Sequence, residues 1–455
     1  MNTSTLKTFY FLGIGGIGMS ALARYLHLAG SRVSGYDKTP TPLTAALEAE
    51  GMDIHYNDRP DLVPEDTDLV VYTPAVPADL GEFLHIVRKG YKMMKRAELL
   101  GAITSEKSTL AVAGTHGKTT VTTMLSHILF PGSKGCTSFL GGIAKNYDSN
   151  LLLNPASQFM VAEADEFDRS FLRLFPWLAV ITSTDADHLD IYRDHQQLKE
   201  SFALFAANIK ENGFLVVKHG LEIPLPEGRN ISAYSYSVTG SSDFRAENLR
   251  LSEGIYRFDL KTPGEKIKGL MPSLPGMFNV ENSIAAAAAA WLAGSSADEI
   301  IKGINTFEGV KRRFDFRINR PGLLYIDDYA HHPEELKACI GSVRALYPER
   351  KITGIFQPHL YTRTRDFATG FSESLSMLDK VILLDIYPAR ELPIEGVTSA
   401  MLLKMIKTTD KHLCTKNEAL HLLEHSKPDI LLTLGAGDID QMVPQIEQLF
   451  SKKEA

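Results

Sequence analysis

Short apolar runs alternate with amphipathic stretches along the first hundred residues. Residues 8–12, 32–36 and 68–72 have the length and apolar content of buried strands. Between the first two, residues 19–29 carry apolar side chains at helical spacing, which predicts a helix packed on a sheet. Strands that alternate with helices in this way predict a parallel, doubly wound sheet.

The same pattern starts again in the middle of the chain, where a strand at residues 109–113 runs into a glycine-rich turn and a helix at residues 121–129. Aromatic residues among polar residues and glycines predict antiparallel hairpins in residues 228–268. The alanine-rich residues 283–294 predict a buried helix, because a membrane span needs about 20 apolar residues. Further central strands are predicted at residues 159–162, 178–182 and 214–217.

A third block of strands is predicted at residues 323–326, 352–356, 381–384 and 430–434. The breaks between blocks predict three α/β domains, which are residues 1–107, 108–309 and 310–455.

Composition narrows the class of protein. Apolar residues make up 44% and charged residues 23% of the 455 residues, as in ordinary soluble chains. The formal net charge of -7 argues against a sequence-independent nucleic-acid binder, which would carry excess positive charge. Three widely spaced cysteines fit neither a disulfide framework nor a zinc site. We therefore expect a cytoplasmic protein with no nucleic-acid partner and no membrane insertion.

The central glycine-rich turn has the pattern of a phosphate-binding loop. Backbone N–H groups at such a helix start surround phosphate oxygens, Lys118 would reach the β- and γ-phosphates, and the Thr119 hydroxyl would bind Mg²⁺. The strict motif has a glycine where this chain has Val112, so an ordinary βα turn is the alternative. The predicted ATP-binding residues of this turn are Gly114, Thr115, His116, Gly117, Lys118, Thr119 and Thr120.

Acidic residues follow two neighbouring predicted strands. Glu163 begins the acidic run of residues 163–166, and Asp185, Asp187 and His188 follow the next strand. Carboxyl ends of parallel strands are where α/β proteins bind ligands. Hard oxygen ligands suit Mg²⁺, and His188 would complete a second metal site. Either loop taken alone is also explained as a solvated turn or a helix cap.

A second glycine pattern lies near the N-terminus. Gly13, Gly15 and Gly18 form a GxGxxG motif, and Asp37 follows at about the spacing of a dinucleotide fingerprint. The motif indicates a diphosphate at a helix N-terminus, which NAD, FAD and a UDP-sugar all carry. A plain structural turn is the alternative.

Two loops of the third block concentrate imidazole and guanidinium groups. Residues 325–333 contain His331 and His332, and residues 357–366 contain Arg363. Such groups recognise carboxylates and phosphates. Salt-bridged surface turns are the alternative.

Together these motifs resemble the Mur ligase family. The resemblance implies a Rossmann-like N-terminal domain for a UDP-sugar, a central P-loop ATPase-type parallel sheet with an added antiparallel β segment, and a Rossmann-like C-terminal domain for an amino acid. It implies an ATP-dependent ligase of peptidoglycan synthesis, in which the lactyl carboxylate of UDP-N-acetylmuramate attacks ATP and L-alanine then attacks the acyl phosphate. The matching stretches run in the family's order at residues 13–20, 114–120, 163–168, 187–188, 274–282, 312–315, 327–333 and 357–366.

The resemblance also implies roles for single residues. Thr119 and Glu163 would hold one Mg²⁺ ion and His188 a second. Asn282 would meet the adenine, and Arg313 and Asp328 would approach ATP when the domains close. The remaining implied roles are catalysis by Lys118, Glu163, His188, His331 and Arg363, UDP-sugar binding by Gly13, Gly15, Gly16, Ile17, Gly18, Asp37, Thr73 and His116, and L-alanine binding by Tyr329, His331, His332 and Arg363.

Two positions depart from the family pattern. Leu360 stands where relatives often have arginine, which enlarges the role expected of Arg363. Sister ligases carry a carbamylated lysine, and no lysine follows His188 at the matching spacing, so we expect no carbamylation here.

Three other functions stay open at this point. A recycling ligase that adds a murein tripeptide to the same UDP-sugar would share the ATP motifs. A nicotinamide-dependent oxidoreductase would use the GxGxxG motif and Asp37, but it would leave Lys118, Thr119 and Glu163 without a role. A nucleotide-gated binding module would have no use for the loops of the third block.

Overall fold

The computed structural model describes residues 5–185, 192, 194–252, 254–389 and 391–451. Their packing divides the chain into two compact units. The first unit takes its described residues from Met1–Arg250, Arg257–Ser273 and Glu281–Glu308, and the second from Leu251–Tyr256, Leu274–Val280 and Gly309–Ala455.

Five short strands form a parallel sheet at the N-terminal end of the first unit. The elements are β1 (Thr8–Leu12), β2 (Arg32–Tyr36), β3 (Asp53–His55), β4 (Leu69–Tyr72) and β5 (Met93–Lys95), with α1 (Ile17–Leu28), α2 (Pro42–Ala49), α3 (Gly81–Lys89) and α4 (Arg96–Ser105). The strand order is β3-β2-β1-β4-β5. Since the order reverses between β1 and β4, the carboxyl ends of these two strands open the crevice in which α/β sheets bind ligands.

The central sheet has ten strands in the order β15-β14-β13-β12-β11-β10-β6-β9-β7-β8. The strands are β6 (Ser108–Ala113), β7 (Thr137–Ala144), β8 (Ser149–Leu152), β9 (Phe159–Glu163), β10 (Leu178–Ile181), β11 (Gly213–Lys218), β12 (Ile231–Ser237), β13 (Phe244–Ser252), β14 (Ile255–Lys261) and β15 (Lys266–Leu270). The helices of this part are α5 (Lys118–Leu129), α6 (His195–Ala207), α7 (Met277–Leu292) and α8 (Ala297–Asn305).

The added β segment is only partly antiparallel. Strands β14 and β15 pair in the predicted antiparallel sense, whereas β12 runs parallel to both β11 and β13. The connection between β11 and β12 is long enough to return the chain to the starting edge before β12 begins, so a tight hairpin is not formed. The alanine-rich helix α7 is buried through residues 284–290, as predicted.

The second unit contains a six-stranded sheet in the order β16-β17-β21-β18-β19-β20. Its strands are β16 (Asp315–Arg320), β17 (Leu323–Asp328), β18 (Ile352–Phe356), β19 (Lys380–Leu383), β20 (Asp410–Leu413) and β21 (Ile430–Leu434). Its helices are α9 (Pro333–Leu346), α10 (Tyr361–Asp366), α11 (Ala368–Leu375), α12 (Ser399–Met405), α13 (Lys416–His425) and α14 (Val443–Ser451). All pairs in this sheet are parallel except β16 with β17.

One apolar core extends through the first unit. It includes Phe9 on β1, Met19 on α1, Phe139 on β7 and Leu215 on β11, so elements of the N-terminal sheet and of the central sheet share one apolar cluster. No helix among the described residues is long and apolar enough to cross a bilayer. The predicted α/β class is confirmed, and the domain limits near residues 107 and 309 stay a prediction.

Candidate active site

The loop between β6 and α5 is shaped as a cradle for an anion. Gly114 and Gly117 adopt positive φ values of 135° and 81°, which favour glycine. Gly117 caps α5 without a side-chain hydrogen bond, so the first N–H groups of the helix stay available. A Cβ at Gly117 would lie 2.9 Å from Oδ1 of Asn282, which places that predicted ATP contact beside the loop.

Lys118 opens α5 and is enclosed by carboxylates. Its Nζ lies 2.7 Å from Oε2 and 2.9 Å from Oε1 of Glu166, and it donates to the Gly114 carbonyl at 2.8 Å. Burial lowers the pKa of Lys118, but the charges of Glu166, Asp165 and Glu163 outweigh it and raise the pKa above its usual range. The carboxylates beside the loop therefore favour the protonated form of this amine.

Glu163 ends β9, next to the strand that leads into the loop. Strand β9 pairs in parallel with β6, with Val112 opposite Glu163. Its carboxylate lies against Gly141 on β7, where any Cβ would overlap it. Thr119 is buried in the first turn of α5 at the same edge of the sheet. A carboxylate and a hydroxyl are ligands that suit Mg²⁺. His188 and Asp187 lie outside the described residues.

The loop after β10 holds the phosphate loop in place through hydrogen bonds. The sequence did not predict these contacts. Ser183 Oγ accepts the His116 N–H at 2.8 Å and lies 2.8 Å from Thr115 Oγ1. Thr182 donates to the His116 carbonyl, and Asp185 lies 3.7 Å from the His116 ring. No motif indicates these hydroxyl contacts, because they exist only once β6 and β10 are neighbours.

The N-terminal glycine loop is closed by a carboxylate. Asp37 Oδ2 accepts the Gly15 N–H at 2.8 Å, and its Oδ1 accepts the Thr39 N–H at 3.2 Å. Gly13, with φ of 82°, packs over Thr73, and α1 begins after Gly16 with no side-chain cap. The structure thus gives Asp37 backbone partners, where the dinucleotide fingerprint predicts contact with a ribose hydroxyl.

A cleft of about 310 Å³ within the first unit extends from the N-terminal glycine loop to Glu163 and Asp165. One wall is formed by residues 16–19 and 73–75, and the opposite wall by residues 139–141 with Glu163 and Asp165. Arg96 lines the cleft beside Gly18 and lies 3.9 Å from Asp165, and Lys95 lines it 3.4 Å from Asp168. The sequence did not predict these two cations as site residues, since a Lys–Arg pair where β5 ends and α4 begins has no distinctive pattern.

In the second unit, the loops after β17 and β18 bring aromatic and cationic groups together. The guanidinium groups of Arg312 and Arg313 lie 5.1 and 4.8 Å from the centre of the Tyr329 ring. His331 Nδ1 lies 3.0 Å from the Tyr329 carbonyl and 3.2 Å from Glu335. Because both partners are acceptors, Nδ1 carries a proton, and in the neutral ring Nε2 is then the nitrogen that can accept one.

His359 is one of the imidazoles that predict carboxylate or phosphate recognition by these loops, without a specific role for this residue. Its ring lies 6.1 Å from that of His331 and stacks on Tyr387 at 5.8 Å. Arg363 follows on α10 and is buried. Leu360, the departure from the family pattern, is buried at the start of α10 with φ of 70°.

Two residues of this unit that are predicted to contact ligands also have partners within the protein. His332 is buried at the N-terminal cap of α9, where its Nδ1 accepts the Glu334 N–H and its ring packs on Phe367. Asp328 is buried and accepts the N–H groups of Phe314 and Ala330 at 2.6 and 2.7 Å. Burial raises the pKa of Asp328 to about 6, although Arg313 and these N–H groups act in the opposite direction.

Comparison with known proteins covers nearly the whole chain. The Mur ligase family catalytic domain matches residues 8–108, the Mur ligase middle domain residues 112–290, and the Mur ligase glutamate ligase domain residues 312–437. The UDP-N-acetylmuramate–L-alanine ligase of Parabacteroides distasonis is 49% identical over 100% of this chain and 99% of its own.

Solved structures agree on the fold. The UDP-N-acetylmuramate-alanine ligase of Thermotoga maritima has a TM-score of 0.83 at 26% identity, covering 98% of this chain and all of its own. A murein peptide ligase of Psychrobacter arcticus has a TM-score of 0.71 at 20% identity, covering 97% and 98% of the two chains, which shows a shared fold alone. The family resemblance seen in the motifs is confirmed: this chain belongs to the Mur ligase family.

Proposed function

We propose that this protein joins L-alanine to the lactyl carboxylate of UDP-N-acetylmuramate with ATP, through an acyl phosphate, as a cytoplasmic step of peptidoglycan precursor synthesis. The observation that carries the proposal is the shared cleft. It runs from the N-terminal glycine loop to Glu163, beside the loop that holds Lys118. A sugar nucleotide held at one end thereby presents its acid towards a nucleotide triphosphate at the other.

The first step is phosphoryl transfer. An oxygen of the lactyl carboxylate attacks the γ-phosphorus of ATP, the bond to the bridging oxygen breaks, and ADP leaves. Phosphoryl transfer depends mainly on positioning and on neutralising charge. Lys118 supplies a cation whose protonation is secured by Glu166, and the N–H groups at the start of α5 receive phosphate oxygens.

Thr119 and Glu163 are the residues proposed to hold Mg²⁺, with His188 at a second ion. A Mg²⁺ ion bound there would neutralise charge on the phosphate oxygens. The fit rests on the oxygen ligands at one sheet edge and on Gly141, whose missing side chain gives the Glu163 carboxylate its place.

The second step forms the amide. The L-alanine amine attacks the acyl carbon, the bond to the phosphate oxygen breaks, and inorganic phosphate leaves. His331 is proposed to accept the amine proton at Nε2, because Glu335 and the Tyr329 carbonyl orient its Nδ1–H. Tyr329, His332 and Arg363 stay predicted L-alanine contacts, and Arg313, Asp328 and Asn282 stay predicted ATP contacts.

An ADP-release assay tests the proposal. With UDP-N-acetylmuramate and Mg²⁺ present, L-alanine should release ADP faster than glycine, L-serine or the murein tripeptide. The curated relatives at about half identity are named for L-alanine, which favours it over the tripeptide. Preference for the tripeptide would make this chain a recycling ligase. Bound NAD(H) fluorescence in the purified protein would instead favour an oxidoreductase.

A further inference from the structure

A buried polar network joins helix α1 to the hairpin of β7 and β8. Asn150 on β8 is fully buried, and its Nδ2 donates to the Ile17 carbonyl at 2.7 Å and to Ser20 Oγ at 2.8 Å. Its Oδ1 accepts from Nη1 of Arg24 at 2.5 Å. The side chain of one residue in the central sheet therefore bonds three groups of the N-terminal helix.

The orientation of the Asn150 amide is fixed by its partners. The guanidinium of Arg24 only donates and the Ile17 carbonyl only accepts, so the amide cannot be reversed without losing both bonds. Glu50 neutralises the buried Arg24, with contacts of 2.8 Å to Nε and 2.7 Å to Nη2. Tyr25 packs on Phe139 of β7 at 5.3 Å beside the network.

Both ends of the network adjoin the cleft. Ile17 lines one wall, directly before Gly18. On the other side, β8 pairs with β7, placing Leu151 opposite Phe139, and β7 continues to Gly141, against which the Glu163 carboxylate lies. A shift of β8 along α1 would therefore move the glycine loop relative to Glu163.

We propose that Asn150, supported by Arg24, is a positioning residue that sets the register between the N-terminal glycine loop and the Glu163 end of β9. The inference rests on the proposed function, in which one sugar nucleotide spans from that loop to the phosphate of ATP. A misplacement of about 1 Å in such a complex costs about 100-fold in rate. Asn150 does not line the cleft itself, and its contact with the glycine loop is the bond to the Ile17 carbonyl, so it acts through the helix and the hairpin.

The test compares Asn150→Asp with Asn146→Asp. The first change keeps the acceptor for Arg24 and turns a carboxylate oxygen towards the Ile17 carbonyl. The control makes the same substitution in the turn of the same hairpin, where Asn146 donates to Thr306 and accepts from Glu308, both in the central part of the chain. Asn150→Ala, which removes the bonds without adding charge, is the second variant.

The expected result is a fall in kcat of roughly 10- to 100-fold for both Asn150 variants at saturating substrates. The Kd for UDP-N-acetylmuramate alone and the Kd for a non-hydrolysable ATP analogue alone should stay as in the wild type. The Asn146 variant should match the wild type throughout. An unchanged kcat overturns the proposal, and so does a loss of UDP-sugar binding equal to the loss of kcat, since that would show damage to the glycine loop itself.

Failure of the proposed function is recognised separately, as absence of wild-type turnover with these substrates. The network is then judged by amide hydrogen exchange without ligands. Asn150→Ala should accelerate exchange in residues 17–20 and 149–152 together, whereas Asn146→Ala should leave residues 17–20 unchanged. Equal exchange of residues 17–20 in the two variants overturns the register role.

Discussion

The two glycine loops of the first unit share a strand–loop–helix arrangement but differ in their charged side chains: an acidic residue contacts the first loop, and a lysine lies in the second. Each follows a buried parallel strand and leads into a helix without a side-chain cap, α1 in one and α5 in the other. Asp37 accepts an N–H of the first loop, and Lys118 stands in the second among three carboxylates. A helix N-terminus is enough to hold a diphosphate, whereas a phosphate that must be transferred also needs a cation. The side chains beside each loop thus distinguish a loop that only binds a diphosphate from a loop that also takes part in phosphoryl transfer.

Lys118→Ala should have the largest effect of the substitutions considered. We expect turnover to fall by at least about 100-fold, because the loop loses the charge that stabilises the transferring phosphate. The affinity for UDP-N-acetylmuramate, measured by calorimetry without ATP, should stay unchanged. Activity at about a tenth of the wild-type rate or better would show that the cation is not essential.

Gly141→Ala should weaken Mg²⁺ binding and leave the Lys118 cation in place. The new Cβ would displace the Glu163 carboxylate, so the Mg²⁺ concentration for half-maximal rate should rise about tenfold or more. Gly341→Ala is the matched control, because a Cβ there meets only Met377 at 3.6 Å, an ordinary contact. Equal Mg²⁺ dependence in the two variants would contradict the role of Glu163.

Glu166→Gln should shift the pH dependence of the rate that is set by Lys118. In the wild type, the raised pKa of Lys118 keeps the amine charged, so this group causes no loss of activity at mildly alkaline pH. Without Glu166, burial acts with less opposition and the pKa falls. The rate should then decline on the alkaline side at a lower pH than in the wild type, with kcat/KM for ATP measured from pH 7 to about 10. Glu200→Gln, at an exposed position on α6, is the control.

Asp37→Ala should have the smallest effect of these substitutions. It should act on the N-terminal glycine loop. It removes two backbone hydrogen bonds that hold the turn, together worth about 1 kcal/mol, so the Kd for UDP-N-acetylmuramate should rise about five- to tenfold. The KM for ATP should not change. An equal rise in both constants would mean that the two loops are not independent binding sites.

Much of this architecture follows from local pattern. Strands at residues 8–12, 32–36, 352–356 and 430–434 have the predicted limits, because short apolar runs between turn residues leave little choice of boundary. The β7–β8 hairpin was not predicted, since Gly141 and Gly142 interrupt its alternation. This hairpin contains Gly141, against which the Glu163 carboxylate lies, and Asn150, which forms hydrogen bonds with α1.

The residues of the candidate active site were predictable to a similar extent. Lys118, Thr119 and Glu163 lie in motifs whose spacing has a physical reason. The pairing of Lys118 with Glu166 and the bracing of His116 by Ser183 join segments about 50 and 70 residues apart, and only the order of the strands brings them together. Contacts of this kind depend on topology and leave no periodic signal in the chain.

In the proposed reaction, the sugar acid takes the terminal phosphate of ATP before the amide forms. UDP-N-acetylmuramate that carries ¹⁸O in the lactyl carboxylate tests this order of steps. Attack of that carboxylate on phosphorus, followed by departure of phosphate from the acyl carbon, predicts one ¹⁸O atom in each inorganic phosphate released, read by mass spectrometry. Phosphate that carries no label while the L-alanine amide forms would contradict the claim.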